Sequence, residues 1–248
     1  MNIKEILQSV VHRPWPLPMR RWIMRQTWRN LLFAHWPLAP AVLRPLIPEV
    51  LELDLRDGDA WVAVTPFLIT GLRPRGLPPI PGASNFLELN VRTYVRYRER
   101  PGVFFFSLDA ASLAAVLGAR ASYHLPYYHA KMVQKQIGAG FEYASHRRGR
   151  GKTAELVAHY IPVAEARPPR PGSLERWLVE RYCLYAPYRG RLYRADIHHV
   201  PWPLQEAKAD FEVNTMAEAA GIELPRLNPV CHFAKELDVL VWAPERLL

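Results

Sequence analysis

Polar and apolar side chains alternate strictly along residues 87–97. On an extended strand successive side chains point to opposite faces. Leu87, Leu89, Val91 and Val95 therefore share one face, and Glu88, Asn90, Arg92 and Arg96 the other. Residues 28–36 predict a first strand. Residues 51–55, the turn Asp57-Gly58-Asp59 and residues 60–69 predict a hairpin whose second arm, 61–65, is apolar on both faces. Residues 103–108 predict another strand covered on both sides. Gly and Pro punctuate residues 71–82, which predicts a loop. Further strands are expected at 130–137, 140–145, 153–163, 190–200, 211–214 and 237–242. Short helices are expected at 3–11, at 109–118 with Ser112 near its start and Gly118 as its stop, at 173–180 and at 215–220. A turn or two of helix fits between Pro40 and Pro48.

Many short strands with few helices predict a mainly β fold, a closed or nearly closed antiparallel β-barrel or a sandwich flanked by short helices. The Pro-rich residues 167–171 are too short for a convincing linker, so residues 1–248 are expected to form one domain. Trp15-Pro16-Leu17, Trp36-Pro37-Leu38 and Trp202-Pro203-Leu204 recur at irregular spacing. They are expected to anchor strand ends against the core, where Trp is highly buried.

Composition narrows the picture. With half of its 248 residues hydrophobic, the chain can bury a sizeable core, and disorder is excluded as its main state. Its formal charge is +9, and apart from Lys4, Lys131, Lys135, Lys152, Lys208 and Lys235 every basic residue is arginine. That charge favours anionic partners without naming one. Two cysteines, Cys183 and Cys231, make neither a disulfide framework nor a Cys-based zinc site. No stretch reads as a signal peptide or a membrane span, so a cytoplasmic protein with free thiols is expected.

The candidate chemistry is sparse. Residues 146–153 end in Gly-Lys-Thr, but His146 stands where a phosphate loop needs its first glycine, and the segment joins two strands. It reads as a solvated hairpin turn, and charge alone is weak support for nucleic acid as a partner. His198 and His199 point to opposite faces of a strand, and no His-Glu-x-x-His motif occurs, so neither metal nor another cofactor is expected. Glu88, Asn90 and Arg92 are more informative. On an open sandwich their face is solvated. Inside a small barrel it lines a lumen, where an acid, an amide and a guanidinium suit a small carboxylate or carbonyl compound.

Three segments resemble acetoacetate decarboxylase and its relatives. Residues 43–53 (LRPLIPEVLEL) are similar to that family's early Leu-Arg-x-Leu-Val-Pro stretch, residues 86–90 (FLELN) to the strand carrying its active-site glutamate, and residues 123–131 (YHLPYYHAK) to the stretch holding its Schiff-base lysine. Runs at 32–37, 88–94, 105–110 and 199–204 resemble more closely the YqjF-like uncharacterised group of the same superfamily. The resemblance implies that superfamily's β-barrel and pocket. It also marks a departure, because Tyr127 and Tyr128 stand where the decarboxylase has its paired lysines, and a phenol forms no imine. Lys131 falls where the family has a further, non-catalytic lysine. Tyr127 and Glu88 are thus the candidate catalytic residues. Arg92, Asn90, Arg44, His124 and Tyr128 are the candidate ligand-binding residues. The expected function is a lumen site for a small anionic or carbonyl-bearing molecule. The alternative is a ligand-binding or sensor domain without catalysis.

Overall fold

In the computed structural model, which describes residues 2–148 and 153–248, thirteen strands form one sheet. The frame of the site is built by β1 (Met24–Leu38), β3 (Ala60–Pro74), β4 (Phe86–Tyr97) and β5 (Arg100–Ala110), with the two-residue β2 (Glu52–Leu53) between β1 and β3. After these come β6 (Tyr127–Ile137), β7 (Gly140–Arg147), β8 (Glu155–Pro162), β9 (Cys183–Tyr188) and β10 (Arg191–His198). The chain ends with β11 (Leu204–Asn214), β12 (Val230–Val241) and β13 (Glu245–Arg246). The hydrogen-bonded order is β13-β10-β9-β5-β6-β7-β8-β11-β12-β1-β3-β4-β2, with β5 also pairing β4 and β10 also pairing β12. The sheet thereby curls back on itself as a near-ring. Two of its pairings, β5 with β6 and β5 with β9, are parallel, so the wholly antiparallel arrangement expected from sequence is corrected. Short helices α1 (Ile3–Gln8) and α2 (Pro40–Leu43) lie before and after β1. α3 (Leu113–Tyr123) makes the crossover from β5 to its parallel neighbour β6, which a tight turn cannot do, and α4 (Leu174–Val179) lies on the path from β8 to β9.

Strands β1, β3 and β4 carry apolar side chains on both faces because each face meets its own core. Leu32, Ala34, Val62, Val64, Leu89 and Val91 pack into one cluster. Their sequence neighbours Leu31, Phe33, Trp61, Phe67, Phe86 and Tyr94 pack into the other. Trp61, Val62, Ala63, Val64 and Thr65 are all buried, as the doubly apolar pattern requires. Trp36 and Trp202 are buried as strand-end anchors.

Two irregularities aim the second face. Asn30 has φ 50°, and β1 there carries one more residue than β3 between the pairs Arg29–Leu68 and Ala34–Val64. Such a bulge reverses the parity of a strand. It lets Gln26 and Trp28 face the same side as Leu31 and Phe33. A second bulge at Phe106 does the same for Phe105 and Leu108 on β5.

Other expectations need correction. β2 pairs with β4 at Arg96 and Val95 rather than with β3, and the turn at Asp57 closes only a bridge between Arg56 and Asp59. β3 continues through Gly71 to Pro74 inside the expected loop, because β1 extends back to Met24 and pairs it. α3 takes Ser112 as its N-cap but passes Gly118 and stops at His124, which adopts the left-handed conformation at φ 56°. Only Glu218–Ala220 of the expected late helix forms, as one 3-10 turn. Residues 149–152 of the basic turn lie outside the described residues. Among the described residues no helix is long and apolar enough to cross a membrane.

Candidate functional site

The even-numbered face of β4 opens on a cavity of about 420 Å³ enclosed by β1, β3, β4, β5, β9 and α3. Glu88, Asn90 and Arg92 all line it, from adjacent same-face positions of one strand. They are 4%, 4% and 9% exposed, so this alternating face is interior rather than solvated.

Glu88 lies in the middle of the wall. Tyr127, at the start of β6, donates its hydroxyl to Glu88 Oε2 at 2.9 Å. Tyr143 donates to the Glu88 backbone carbonyl at 2.9 Å and fixes the strand there. Burial pushes the Glu88 carboxyl from its ordinary 4.5 to about 8; the Tyr127 hydrogen bond opposes this shift and the nearby Asp109 carboxylate adds to it. Burial and the adjacent Glu88 hold the Tyr127 phenol well above its ordinary value. At neutral pH the pair is therefore a neutral acid hydrogen-bonded by a neutral phenol.

Arg92 is the opposite case. Its guanidinium carbon sits 5.2 Å above the Phe33 ring, a cation–π contact, and it has no carboxylate partner among the described residues. Its Nε and Nη2 are buried without a hydrogen-bond acceptor, as are Asn90 Oδ1 and Thr65 Oγ1, and Thr65 also lines the cavity. A second guanidinium, Arg181, borders the same end. Arg181 is bound to Asp54 and donates to the Trp177 carbonyl at 2.8 Å, but its Nη2 is unpartnered. The two guanidinium carbons flank one ring, Arg181 at 4.7 Å and Arg92 at 6.0 Å from the centroid of Tyr94. His199 closes this end beside Trp202, with Nδ1 on the Val200 carbonyl and Nε2 unpartnered. Burial lowers its pKa to about 3, so it is a neutral ring. Buried polar groups are ordinarily paired, and an unpaired buried charge costs several kcal/mol, roughly. Thr65, Asn90, Arg92, Arg181 and His199, each with an unpartnered buried polar atom, all line this one cavity.

Glu88, Asn90, Arg92 and Tyr127 come together, and no direct hydrogen bond joins Glu88 to Arg92. The remaining sequence candidates lie elsewhere. Arg44 donates to the carbonyls of Ile47, Pro48 and Leu51 and clamps its own loop. His124 stacks on Tyr188 at 4.0 Å and lines a separate cleft with Pro126 and Pro187. Tyr128 faces away from the cavity and carries the Arg147 guanidinium on its ring at 3.9 Å. Thr65, Arg181 and His199 were not among the candidate site residues. Thr65 was legible only as part of a buried strand, and Arg181 follows a short helix with no periodicity to mark it. Lys131 is exposed, and no lysine borders the cavity among the described residues. No cluster of three metal-ligating side chains occurs among the described residues.

Residues 25–238 match the DUF2071 family, described as "Uncharacterized conserved protein (COG2071)". The "Uncharacterized protein YqjF" of Bacillus subtilis (strain 168) is 52% identical over 221 residues, 89% of this chain and 91% of that protein. Among solved structures, the enduracididine biosynthesis enzyme MppR, complexed with the condensation product of pyruvate and imidazole 4-carboxaldehyde, has a TM-score of 0.65 at 12% identity, covering 92% of this chain and 90% of that one. Acetoacetate decarboxylase from Legionella pneumophila subsp. pneumophila str. Philadelphia 1 has a TM-score of 0.65 at 15% identity, covering 98% and 95%. Such likeness is one of fold, the acetoacetate decarboxylase-like arrangement of a curled sheet, and leaves the chemistry to the site itself.

Proposed function

We propose that this chain, which belongs to the DUF2071 family, binds a small anionic or carbonyl-bearing molecule in the cavity and acts on it by proton transfer without a lysine imine. One observation carries the reading: a buried guanidinium with no carboxylate partner among the described residues, Arg92, lines the same cavity as the hydrogen-bonded acid pair Glu88–Tyr127. Arg92 receives the negative charge of the ligand, as a bidentate partner of a carboxylate or as a donor to an enolate oxygen. Asn90 and Thr65 complete the seat. Glu88 works as the proton carrier. Its carboxyl titrates near the operating pH, where a general acid or base is most effective. Ionised, it takes a proton from the carbon beside the ligand's carbonyl, and the Tyr127 hydroxyl stays bonded to Oε2 to steady the charge. Protonated, it returns that proton. In this reading the strands close as a barrel around the ligand and the whole chain works as one domain.

MppR is a relative in fold whose structure holds a pyruvate-derived compound, which makes 2-oxo acids the first compounds to test. Titration calorimetry is expected to detect 2-oxo acid binding, and Arg92→Gln to weaken it about 100-fold, the scale of losing charge-assisted hydrogen bonds in a buried site. Equal affinity of the variant and the parent sinks the anion seat. Turnover by the parent separates an enzyme from a binding module with the same pocket. Reduction with borohydride in the presence of acetoacetate is expected to leave every lysine-containing peptide at its unmodified mass. A reduced adduct at Lys131 overturns the imine-free reading.

A further inference from the structure

We infer that the ligand is an amphipathic acid, with its carboxylate or 2-oxo acid head at Arg92 and an unbranched apolar tail running along β4 to a mouth beneath α3. The inference rests on the head-group reading just given and adds the rest of the molecule.

Size is the first ground. A dry cavity of roughly 150 Å³ already accommodates benzene. The present cavity, about 420 Å³, is far larger than a three-carbon acid needs. The second ground is the way polarity is distributed along it. Thr65, Asn90, Arg92, Arg181 and His199 crowd one end. Toward the other end β4 contributes Phe86, β3 contributes Ile69 and Leu72, and the following turn contributes Ile80 and Ala83. Gln26, Ser122 and Tyr123 bring polar groups to that end, and the Glu88–Tyr127 pair stands between the two ends. Six residues of extended strand separate Arg92 from Phe86, about 20 Å at the rise of a β-strand. Asn90 and Glu88 stand between them on the same face, so the apolar part of the cavity begins beyond Glu88, and a small acid bound at Arg92 leaves that part unfilled.

The third ground is the helix that covers it. A helix packed on a core normally lays large apolar residues against it. α3 lines this cavity mostly with small residues, Ala114, Ala115, Gly118, Ala119 and Ser122, with the larger Tyr123 at its C-terminal end, and Val116 is its one buried residue. A Cβ built at Gly118 meets nothing within 4 Å. The helix thus leaves a slot. The slot reaches the surface, because Ile80 lines the cavity and is 53% exposed. The turn bearing Ile80 is held down by Ser84, which accepts from the Ile80 amide at 2.6 Å. An apolar lip on an otherwise arginine-rich surface suits a ligand that enters tail-last and leaves its end at the mouth.

The test is a chain-length series of straight 2-oxo acids from three to ten carbons, with primary alcohols of matched length, measured by calorimetry on the full chain. Affinity for the acids is expected to rise about threefold to fourfold per added methylene until the slot is full, the increment for burying one methylene. Gly118→Phe fills the mouth. It is expected to weaken the eight- to ten-carbon acids at least tenfold and leave the three- and four-carbon acids unchanged. Ala119→Leu serves as a second plug, and both lie on an accessible helix face where the parent fold is retained. Equal affinity for acids of every length overturns the tail and leaves the head seat standing. Alcohols that match the acids in affinity and length dependence retain the tail and remove the head seat. A series in which nothing binds removes both.

Discussion

Arg147→Met is expected to destabilise the protein by about 3–5 kcal/mol, the usual cost of removing one partner from a buried ion pair. Arg147 donates from Nε and Nη2 to the two carboxylate oxygens of Asp109, both at 2.7 Å, and Asp109 is fully buried. The pair fastens β7 to β5 across β6, beside the parallel junction that starts at Leu108 and Tyr127. Burial raises the Asp109 pKa and the two Arg147 hydrogen bonds lower it, so without Arg147 the carboxyl shifts further upward. The variant is then least stable at high pH, where Asp109 is a bare buried anion, and recovers part of the loss as pH falls and the carboxyl takes a proton. Urea unfolding at pH 5 and pH 8 checks both the size and the sign. Adding Asp109→Leu to the variant is expected to restore much of the stability, since an apolar pair of similar volume replaces a broken ionic one. A loss below about 1 kcal/mol would mean that the pair behaves as a surface contact.

The alternation along β4 was readable because a strand's side chains follow period two whatever covers them, and the lumen reading of Glu88, Asn90 and Arg92 needed only a second layer over that face. What hid the rest is distance along the chain. Arg181 reaches the site from beyond α4, and His199 from beyond β10, so no local spacing ties either to Glu88. His199 was legible only as half of an adjacent pair, and burial beside Trp202 cannot be inferred from that pair. The parallel contacts of β5 with β6 and β9 were equally hidden, since β6 follows a crossover through α3 and β9 returns to β5 only after three further strands and α4. Arg44 and His124 illustrate the reverse. Both stand in segments that resemble the family's motifs, yet loop carbonyls satisfy one and a tyrosine ring stacks against the other.

Glu88→Gln is expected to remove a pH dependence of stability that the parent protein carries between about pH 4.5 and pH 8. The direction follows from proton linkage. In the unfolded chain this carboxyl ionises near 4.5, whereas in the folded protein burial holds the proton until about pH 8. The folded state therefore binds the proton more tightly, and stability from this group is fully present below pH 4.5 and declines as pH rises through 8. A shift of this size corresponds to roughly 5 kcal/mol over the whole window. Gln keeps the shape and an oxygen to accept from Tyr127, but cannot ionise. Below pH 4.5 the variant and the parent should be nearly equally stable, and by pH 8 to 9 the variant should be the more stable. Chemical unfolding across pH 4 to 9 reads the difference directly, since every other titrating group is common to both proteins. Parallel curves for the two would show that Glu88 is already ionised at neutral pH. Glu88 would then be an ordinary carboxylate base rather than a group poised near neutrality, and the cavity would retain its anion seat without a neutral acid.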